Sequence, residues 1–194
     1  MTIIVPYRNR PEHLTQFIPH MRAYLPYAKI VVIEQADDKP FNRGRLINIG
    51  YLEAKPGYFV AHDVDMLPVE VDYSPNPGVT QLAGSKIQLR DYLGGVTMFE
   101  PTTFEKVGGY HNDYFSRSED NEMRFNLQRL KIPVLELHGK YKMLPHPRSG
   151  PEFIAALWYK AQQPRAIQNQ LGVCKYEVIR KHIFEDYEMI RVTL

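Results

Sequence analysis

The sequence is poor in cysteine and has no long apolar run. Cys174 is its only cysteine, so no disulfide can form within these 194 residues, and a reducing compartment suits the chain. No stretch reaches the roughly 20 apolar residues of a membrane-spanning helix. The first residues, Met1 to Pro6, form a strand-like run and lack the basic start and apolar centre of a signal peptide. We therefore expect a cytoplasmic protein with no membrane span.

Strong charge is also missing. The formal net charge is +2 and the sequence has no tract of lysine and arginine, so nucleic acid is not an expected partner. Repeats and low-complexity segments are absent as well. The hydrophobic content of 44% and the charged content of 24% are those of an ordinary globular protein. A chain of 194 residues is long enough for one domain with a buried core, so we expect a single domain over 1–194.

Strand and helix patterns alternate through the first 65 residues. Apolar or β-branched runs predict strands at 2–5, 29–33 and 58–61, and helical spacing predicts helices after residue 10 and from about 43 to 54. We expect Asn9 to cap the first helix and Pro19 to kink or stop it. This order is typical of an α/β fold whose parallel strands are joined by crossover helices.

The second half of the chain is less regular. Strands are predicted at 94–99 and at the carboxyl terminus, where Ile190, Val192 and Leu194 alternate with polar residues. Helices are predicted at 102–107, 119–130 and 151–162. We expect this half to contribute further parts of a site that begins in the first half.

An acidic pair follows the third predicted strand. Asp63 and Asp65 come directly after an apolar run, and on an extended chain two such side chains point to the same face. Ligands of α/β sheets bind at the carboxyl ends of strands, and carboxylate oxygens suit Mg²⁺ or Mn²⁺, which can hold a diphosphate. The alternative for a lone Asp-x-Asp is an acidic turn that closes a strand.

Arginines and aromatic residues lie at other predicted strand ends. Arg8 and Arg10 follow the first strand and Arg43 precedes a helix, so their guanidinium groups could clamp a diphosphate. Tyr7 and Phe41 lie beside them and could pack against a nucleobase. Taken singly, each arginine is better explained as a solvated surface charge; taken together, they favour a site.

Two later segments also carry chemistry. Glu119 and Asp120 begin a predicted helix, where carboxylates are expected for dipole reasons alone. Met143 and His146 lie near a predicted strand end, and His146 could be a ligand or a packed residue. Residue chemistry alone does not make Met143 a ligand, because a thioether is a soft partner for Mn²⁺.

Together these segments resemble the β-1,4-galactosyltransferase family, which consists of metal-dependent inverting enzymes with the GT-A fold. Six matches occur in the family's order: Val5-Pro6-Tyr7-Arg8-Asn9-Arg10 with Glu12-His13-Leu14, Phe41-Asn42-Arg43-Gly44-Arg45-Leu46-Ile47-Asn48, Asp63-Val64-Asp65-Met66-Leu67-Pro68, Tyr92-Leu93-Gly94-Gly95-Val96, Gly108-Gly109-Tyr110 leading to Glu119-Asp120, and Met143-x-x-His146. The resemblance implies an α/β GT-A domain, Rossmann-like with a mixed central sheet. Residues 1–70 would form its nucleotide-binding half and residues 71–194 its sugar- and acceptor-binding half.

The resemblance also implies a role for each matching residue. Asp65, Met143 and His146 would hold Mn²⁺, with Mg²⁺ as a substitute. The pocket for the UDP-galactose donor would be lined by Pro6, Tyr7, Arg8, Arg10, Phe41, Arg43, Asp63 and Val64. Gly95 and Glu119 would face the transferred sugar, and Tyr92 stands where the family selects galactose over an N-acetylated sugar. Asp120 would act as general base, so that galactose from an α-linked donor forms a β-linkage.

Two departures bear on the acceptor. Phe115-Ser116-Arg117-Ser118 replaces the family's Trp-Gly-Trp-Gly-Gly, which includes a mobile tryptophan, and Asn121 replaces a second aspartate. Both departures argue against the family's usual GlcNAc acceptor, so the saccharide acceptor stays open between a GlcNAc-, a glucose- and a xylose-like end. We expect a small, soluble, bacterial-like relative.

Two rival functions stay open. The first is a UDP-GalNAc transferase of the chondroitin-polymerising type, which Tyr92 disfavours. The second is a binding protein without catalysis, which the retained Asp65, Asp120, Met143 and His146 disfavour.

Overall fold

A computed structural model describes residues 1–83, 93–113, 119–145 and 167–194. Its strands are β1 (Thr2–Tyr7), β2 (Lys29–Gln35), β3 (Phe59–His62), β4 (Met66–Glu70), β5 (Val79–Ala83), β6 (Val96–Phe99), β7 (Val134–Met143), β8 (Glu177–Ile183) and β9 (Glu188–Thr193). Its helices are α1 (Pro11–Tyr24), α2 (Arg43–Ala54), α3 (Pro101–Val107) and α4 (Glu119–Arg129). The helix predicted at 151–162 lies outside the described residues.

The described strands form one mixed sheet in the order β4-β7-β5-β6-β3-β1-β2-β9-β8. β1 pairs in parallel with β2 and with β3, as the first 65 residues predict. β6 then runs antiparallel to β3, and β9 runs parallel to β2. Because β1, β2 and β3 are parallel, the segments that leave their carboxyl ends emerge on the same edge of the sheet.

The core consists of two apolar layers, one on each face of the sheet. Alternate residues of β1 divide between them: Ile3 and Val5 pack with α1, and Ile4 packs with α2, α3 and α4. The alternation follows from the two-residue period of a strand. Since both faces are covered, β1 is buried along its whole length, and the loops at the carboxyl ends of β1 and β3 start from a rigid base.

Helix α1 corrects two predictions, the early stop at Pro19 and the cap at Asn9. It continues past Pro19 to Tyr24, because Pro19 lies on the exposed face while Phe17, Ile18 and Met21 are held in the core. Asn9 is not its cap. The N-cap residue is Arg10, without a side-chain bond, and Asn9 adopts a left-handed conformation with φ of 50°.

β4, β5 and β8 were not predicted from the sequence, and for β7 only an end near Met143 was predicted. β4 contains Pro68, which argues against a strand, but β4 pairs with β7 alone at the edge of the sheet. β8 is the other edge strand, largely exposed and rich in charged residues, so it has no apolar alternation to recognise. Pairing with a neighbour, more than composition, defines both edge strands.

None of the helices in the described ranges has the length and apolarity to cross a bilayer. The cytoplasmic location stays a prediction.

Candidate functional site

The loops after β1 and β3 meet through an ion pair. Arg10 Nη1 lies 3.2 Å from Asp65 Oδ2, and the Asp65 side chain is 9% exposed. The Arg10 backbone N–H donates to the Tyr7 hydroxyl at 3.2 Å, which fixes the loop that carries Arg10. The predicted basic and acidic loops therefore lie together at the carboxyl edge of the parallel strands.

The acidic pair lies on a turn, which corrects the prediction that both carboxylates share one face of an extended chain. The Met66 N–H donates to the Asp63 carbonyl at 3.2 Å, so the chain reverses directly after β3. Two-residue alternation does not apply to such a turn. Asp63 pairs with Arg43, and Asp65 pairs with Arg10.

Arg43, Asp63 and Glu119 form what we call the charged cluster. Arg43 Nε lies 2.6 Å from Asp63 Oδ1, and its Nη1 lies 3.4 Å from Glu119 Oε1. The Arg43 side chain is 13% exposed. Burial acts to lower the Arg43 pKa, but the carboxylates of Asp63 and Glu119 raise it well above its ordinary value. Arg43 therefore stays charged and joins the start of α2 to the end of β3 and the start of α4.

Two glycines make room for the charged cluster. Gly95 has a φ of 75°, its carbonyl accepts the Asp63 N–H at 2.9 Å, and an added Cβ would lie 2.8 Å from the sulfur of Met66. An added Cβ at Gly44 would lie 3.2 Å from Glu119. Only glycine fits the backbone and the space at Gly95, which places this predicted residue against the acidic turn.

The two carboxylates at the start of α4 have raised pKa values. Burial and the neighbouring charge of Asp120 raise the pKa of Glu119 from 4.5 to about 7. Burial also raises the pKa of Asp120, and the Arg43 charge opposes that rise. The Asp120 carboxylate accepts the Asn121 N–H at 2.8 Å. A carboxylate with a raised pKa and a fixed orientation is suited to accept a proton.

The remaining predicted donor residues divide by exposure. Pro6, Tyr7 and Val64 are buried, so they support the site and are not part of its exposed surface. Phe41 is half-buried, and the Arg8 guanidinium lies over its ring at 5.4 Å from the centroid. This pair forms a flat cationic and aromatic surface beside the site.

The residues predicted to hold a metal are partly described. Met143 pairs with Met66 in the register of β4 and β7, and the Leu144 N–H donates to the Asp65 carbonyl at 2.8 Å. These contacts bring the end of β7 beside Asp65. In the described ranges no three His, Cys, Asp or Glu side chains are grouped to hold a metal. Asp65 and Met143, two of the predicted ligands, thus lie on adjacent segments, and their binding of a metal stays a prediction.

Three predicted features lie outside the described residues: Tyr92, His146 and the 115–118 segment.

One residue of the site was missed from the sequence. His62, the last residue of β3, is fully buried and hydrogen-bonds the acidic turn. The available signal was a histidine that ends an otherwise apolar strand.

Comparisons with known proteins match nearly the whole chain. Residues 1–74 match the family described as the N-terminal region of glycosyl transferase group 7, and residues 79–147 match the family described as the N-terminal domain of galactosyltransferase. Human β-1,4-galactosyltransferase 4 is 37% identical over 170 residues, which cover 76% of this chain and 49% of the human protein. A β-N-acetyl-D-glucosaminide β-1,4-N-acetylglucosaminyl-transferase of Lymnaea stagnalis is 35% identical over 173 residues, 76% of this chain and 34% of that protein. The chain thus spans half or less of each of these relatives.

A solved structure has the same fold. A mutant Drosophila β-1,4-galactosyltransferase 7, crystallised with manganese, UDP-Gal and xylobiose, superposes with a TM-score of 0.84 at 22% identity. The match covers 100% of this chain and 93% of that one. It confirms the predicted GT-A architecture with a mixed central sheet.

Proposed function

Since the chain belongs to the glycosyl transferase group 7 family, which includes the β-1,4-galactosyltransferases, we propose that it transfers galactose from UDP-galactose to a saccharide hydroxyl. The observation that carries the proposal is the convergence of Asp65, the charged cluster and the start of α4 at one edge of the sheet. Residues 1–70 would hold the nucleotide, and later residues would hold the sugar and the acceptor.

The donor would lie along the loops after β1 and β3. Arg8 and Phe41 offer a flat surface for the uracil base, and Arg10 offers a cation for the diphosphate. Asp65 and Met143, with His146, are the residues that would hold Mn²⁺. When bound, this ion supplies positive charge to the diphosphate leaving group.

Asp120 would act as general base. The acceptor hydroxyl gives its proton to the Asp120 carboxylate as its oxygen bonds to the anomeric carbon, while the bond from that carbon to UDP breaks. Attack opposite the departing UDP turns an α-linked donor into a β-linked product. Arg43 holds Glu119, the residue before Asp120, so it fixes the start of the helix that carries the base.

The donor sugar has one specific competitor. The Lymnaea relative is named as an N-acetylglucosaminyl-transferase, so UDP-sugars with an N-acetyl group are the second candidates, UDP-GalNAc among them. By the family resemblance, Tyr92 favours galactose, because a smaller residue at that position would make room for an N-acetyl group. For the acceptor, the xylobiose bound by the Drosophila enzyme makes a xylose-like end the first to test, ahead of glucose and GlcNAc.

Calorimetry tests the donor directly. UDP-galactose, UDP-GalNAc and UDP-GlcNAc are titrated into the protein with Mn²⁺ and again with EDTA. We expect manganese-dependent binding that favours UDP-galactose, followed by product formation with a xyloside acceptor. Preference for an N-acetylated donor would replace the donor assignment. Binding without transfer to any xylose, glucose or GlcNAc acceptor would favour a binding protein, and no binding by folded protein would refute the donor site.

A further inference from the structure

The strand that leads into the acidic turn ends in a buried histidine. His62 has no exposed surface and lies at the carboxyl end of β3, in the middle of the sheet. Phe17 packs edge-on against its ring with centroids 5.1 Å apart, and Tyr73 stacks at 6.2 Å. An apolar side chain would fill this space without burying two ring nitrogens, so the histidine calls for a reason beyond packing.

Both ring nitrogens of His62 have partners, and the partners determine the tautomer. Nδ1 lies 3.0 Å from the Asp63 carbonyl oxygen, which can only accept, so Nδ1 carries the proton. Nε2 therefore accepts the hydrogen bond of the Tyr73 hydroxyl, 2.9 Å away. Burial lowers the pKa of His62 to about 4, which keeps this neutral tautomer at physiological pH.

The carbonyl that His62 binds is the one that closes the acidic turn. The same Asp63 oxygen accepts the Met66 N–H at 3.2 Å, and the Asp63 N–H donates to Gly95 at 2.9 Å. Asp65 lies inside the turn that these bonds define. The direction of the Asp65 carboxylate therefore depends on the orientation of the peptide group of Asp63, whose carbonyl is held by the hydrogen bond from His62.

We propose that His62 is a positioning residue for donor binding: its Nδ1–H bond to the Asp63 carbonyl sets the turn that aims Asp65 at the metal and diphosphate. The inference rests on the proposed function, because it assumes that Asp65 binds the metal. Groups behind a ligand set its orientation, and their loss commonly weakens metal binding about 10–100-fold.

Three variants separate this role from packing. His62→Gln places its amide near the former Nε2 and loses the bond to Asp63, whereas His62→Asn keeps an amide N–H near the former Nδ1. Tyr73→Phe is the matched control, since it removes the Nε2 bond, together with the contact between the Tyr73 and Tyr141 hydroxyls, and leaves the Nδ1 bond to Asp63 in place. Calorimetry of UDP with Mn²⁺, and of UDP in EDTA, is measured for each variant alongside its melting temperature.

We expect His62→Gln to weaken manganese-dependent UDP binding about 10–100-fold, with most of the loss recovered in His62→Asn and less than about 3-fold loss in Tyr73→Phe. UDP binding in EDTA should not change. Equal losses in His62→Gln and Tyr73→Phe would overturn the proposal, as would full affinity in folded His62→Gln.

A measurement on the unaltered protein covers the case in which His62→Gln does not fold. NMR of ¹⁵N-labelled histidine reports the tautomer, and the signal of His62 is assigned by its absence from His62→Asn. The Nδ1–H tautomer supports the proposal, and the Nε2–H tautomer refutes it. If unaltered protein does not bind UDP with Mn²⁺, the proposed function fails, and this spectrum still tests the hydrogen bond independently.

Discussion

Helix α2 joins two buried polar groups of opposite kinds. Its first residue, Arg43, belongs to the charged cluster. Its cap and its buried face belong to a second group, which we call the amide network: Gln35, Asn42, Asn48, Asn112 and Gln170, all buried. The first group consists of full charges, and the second consists of neutral amides.

The amide network satisfies its own hydrogen-bonding groups. Asn48 Nδ2 donates to the Tyr110 carbonyl at 2.7 Å, and Asn48 Oδ1 accepts the Tyr110 N–H at 2.9 Å. Asn112 Nδ2 donates to the Gln170 carbonyl at 2.7 Å, and the Asn42 N–H donates to Gln35 at 3.0 Å. Neutral groups that are paired in this way stabilise and specify a fold without a large cost of burial.

The charged cluster behaves differently. It holds one arginine against Asp63 and Glu119, with Asp120 next along the chain, so negative charge is in excess. Burial, together with the neighbouring charge of Asp120, raises the pKa of Glu119 to about 7. Such an arrangement costs stability and keeps carboxylates reactive. We infer that the amide network serves the fold and that the charged cluster serves the proposed chemistry. Four measurements test that division.

The largest effect is expected at Asp120. Asp120→Asn removes the proposed base and should lower kcat about 10²–10⁴-fold. The melting temperature should stay equal or rise, because an amide carries no charge to desolvate. Donor affinity measured by calorimetry serves as the control and should be retained. Full turnover in this variant would remove Asp120 from the mechanism.

Arg43→Met should destabilise the fold. Removing the cation from a buried pair leaves uncompensated carboxylates and costs about 3–5 kcal/mol in free energy of unfolding. The loss should grow as pH rises through 7, because Glu119 then ionises. Urea denaturation at pH 5.5 and pH 8 measures both effects, with Arg43→Lys as the control that keeps the charge. A loss below about 1 kcal/mol at pH 8 would contradict the role of the charged cluster.

Asn48→Ala tests the amide network. It leaves the backbone N–H and carbonyl of Tyr110 without their Asn48 partner, so the free energy of unfolding should fall by about 2–4 kcal/mol. The pH profile of transfer should not move, since no charge changes. Asn76→Ala removes a comparable bond at the surface and should change stability by less than about 0.5 kcal/mol. A shifted pH profile in Asn48→Ala would mean that the two groups are not separate.

Glu119→Gln should give the smallest effect, a change in how steeply the free energy of unfolding depends on pH. Because folding raises the pKa of Glu119 from 4.5 to about 7, its contribution to stability is complete below about pH 4.5 and is lost as pH rises through 7. Relative to the unaltered protein, the variant should gain about 2–3 kcal/mol between pH 5 and pH 8.

Glu53→Gln is the control of opposite sign. Hydrogen bonds from Lys181 and Tyr176 outweigh the effect of burial and lower the Glu53 pKa. The contribution of Glu53 to the stability of the fold is therefore present above its unfolded pKa and is lost only as pH falls further. The difference in stability between Glu53→Gln and the unaltered protein should be flat from pH 5 to 8. A flat difference for Glu119→Gln as well would show that its pKa is not raised.

Local pattern predicted β1, β2, β3 and α2, but it missed the buried strand β5 and the two edge strands. β1, β2 and β3 are buried on both faces, so their sequences are continuous apolar runs, and α2 begins and ends where the residues indicate. The edge strands β4 and β8 are partly exposed and bear no such signature. The early stop predicted at Pro19 was wrong, because this proline lies on the solvent-facing side of α1 while the opposite side is held in the core.

The sequence by itself determined the parallel β1–β2–β3 core, which follows from apolar periodicity, and the family, which follows from the resemblance of its ordered motifs. Only the tertiary structure decided which charges meet. Arg43 reaches Glu119 across 76 positions of sequence, and the acidic turn is held by His62 and Gly95. Such contacts arise only when β3, β6 and α4 pack together and exclude water, since exclusion of water is what raises the pKa of Glu119 and makes the hydrogen bonds of His62 necessary.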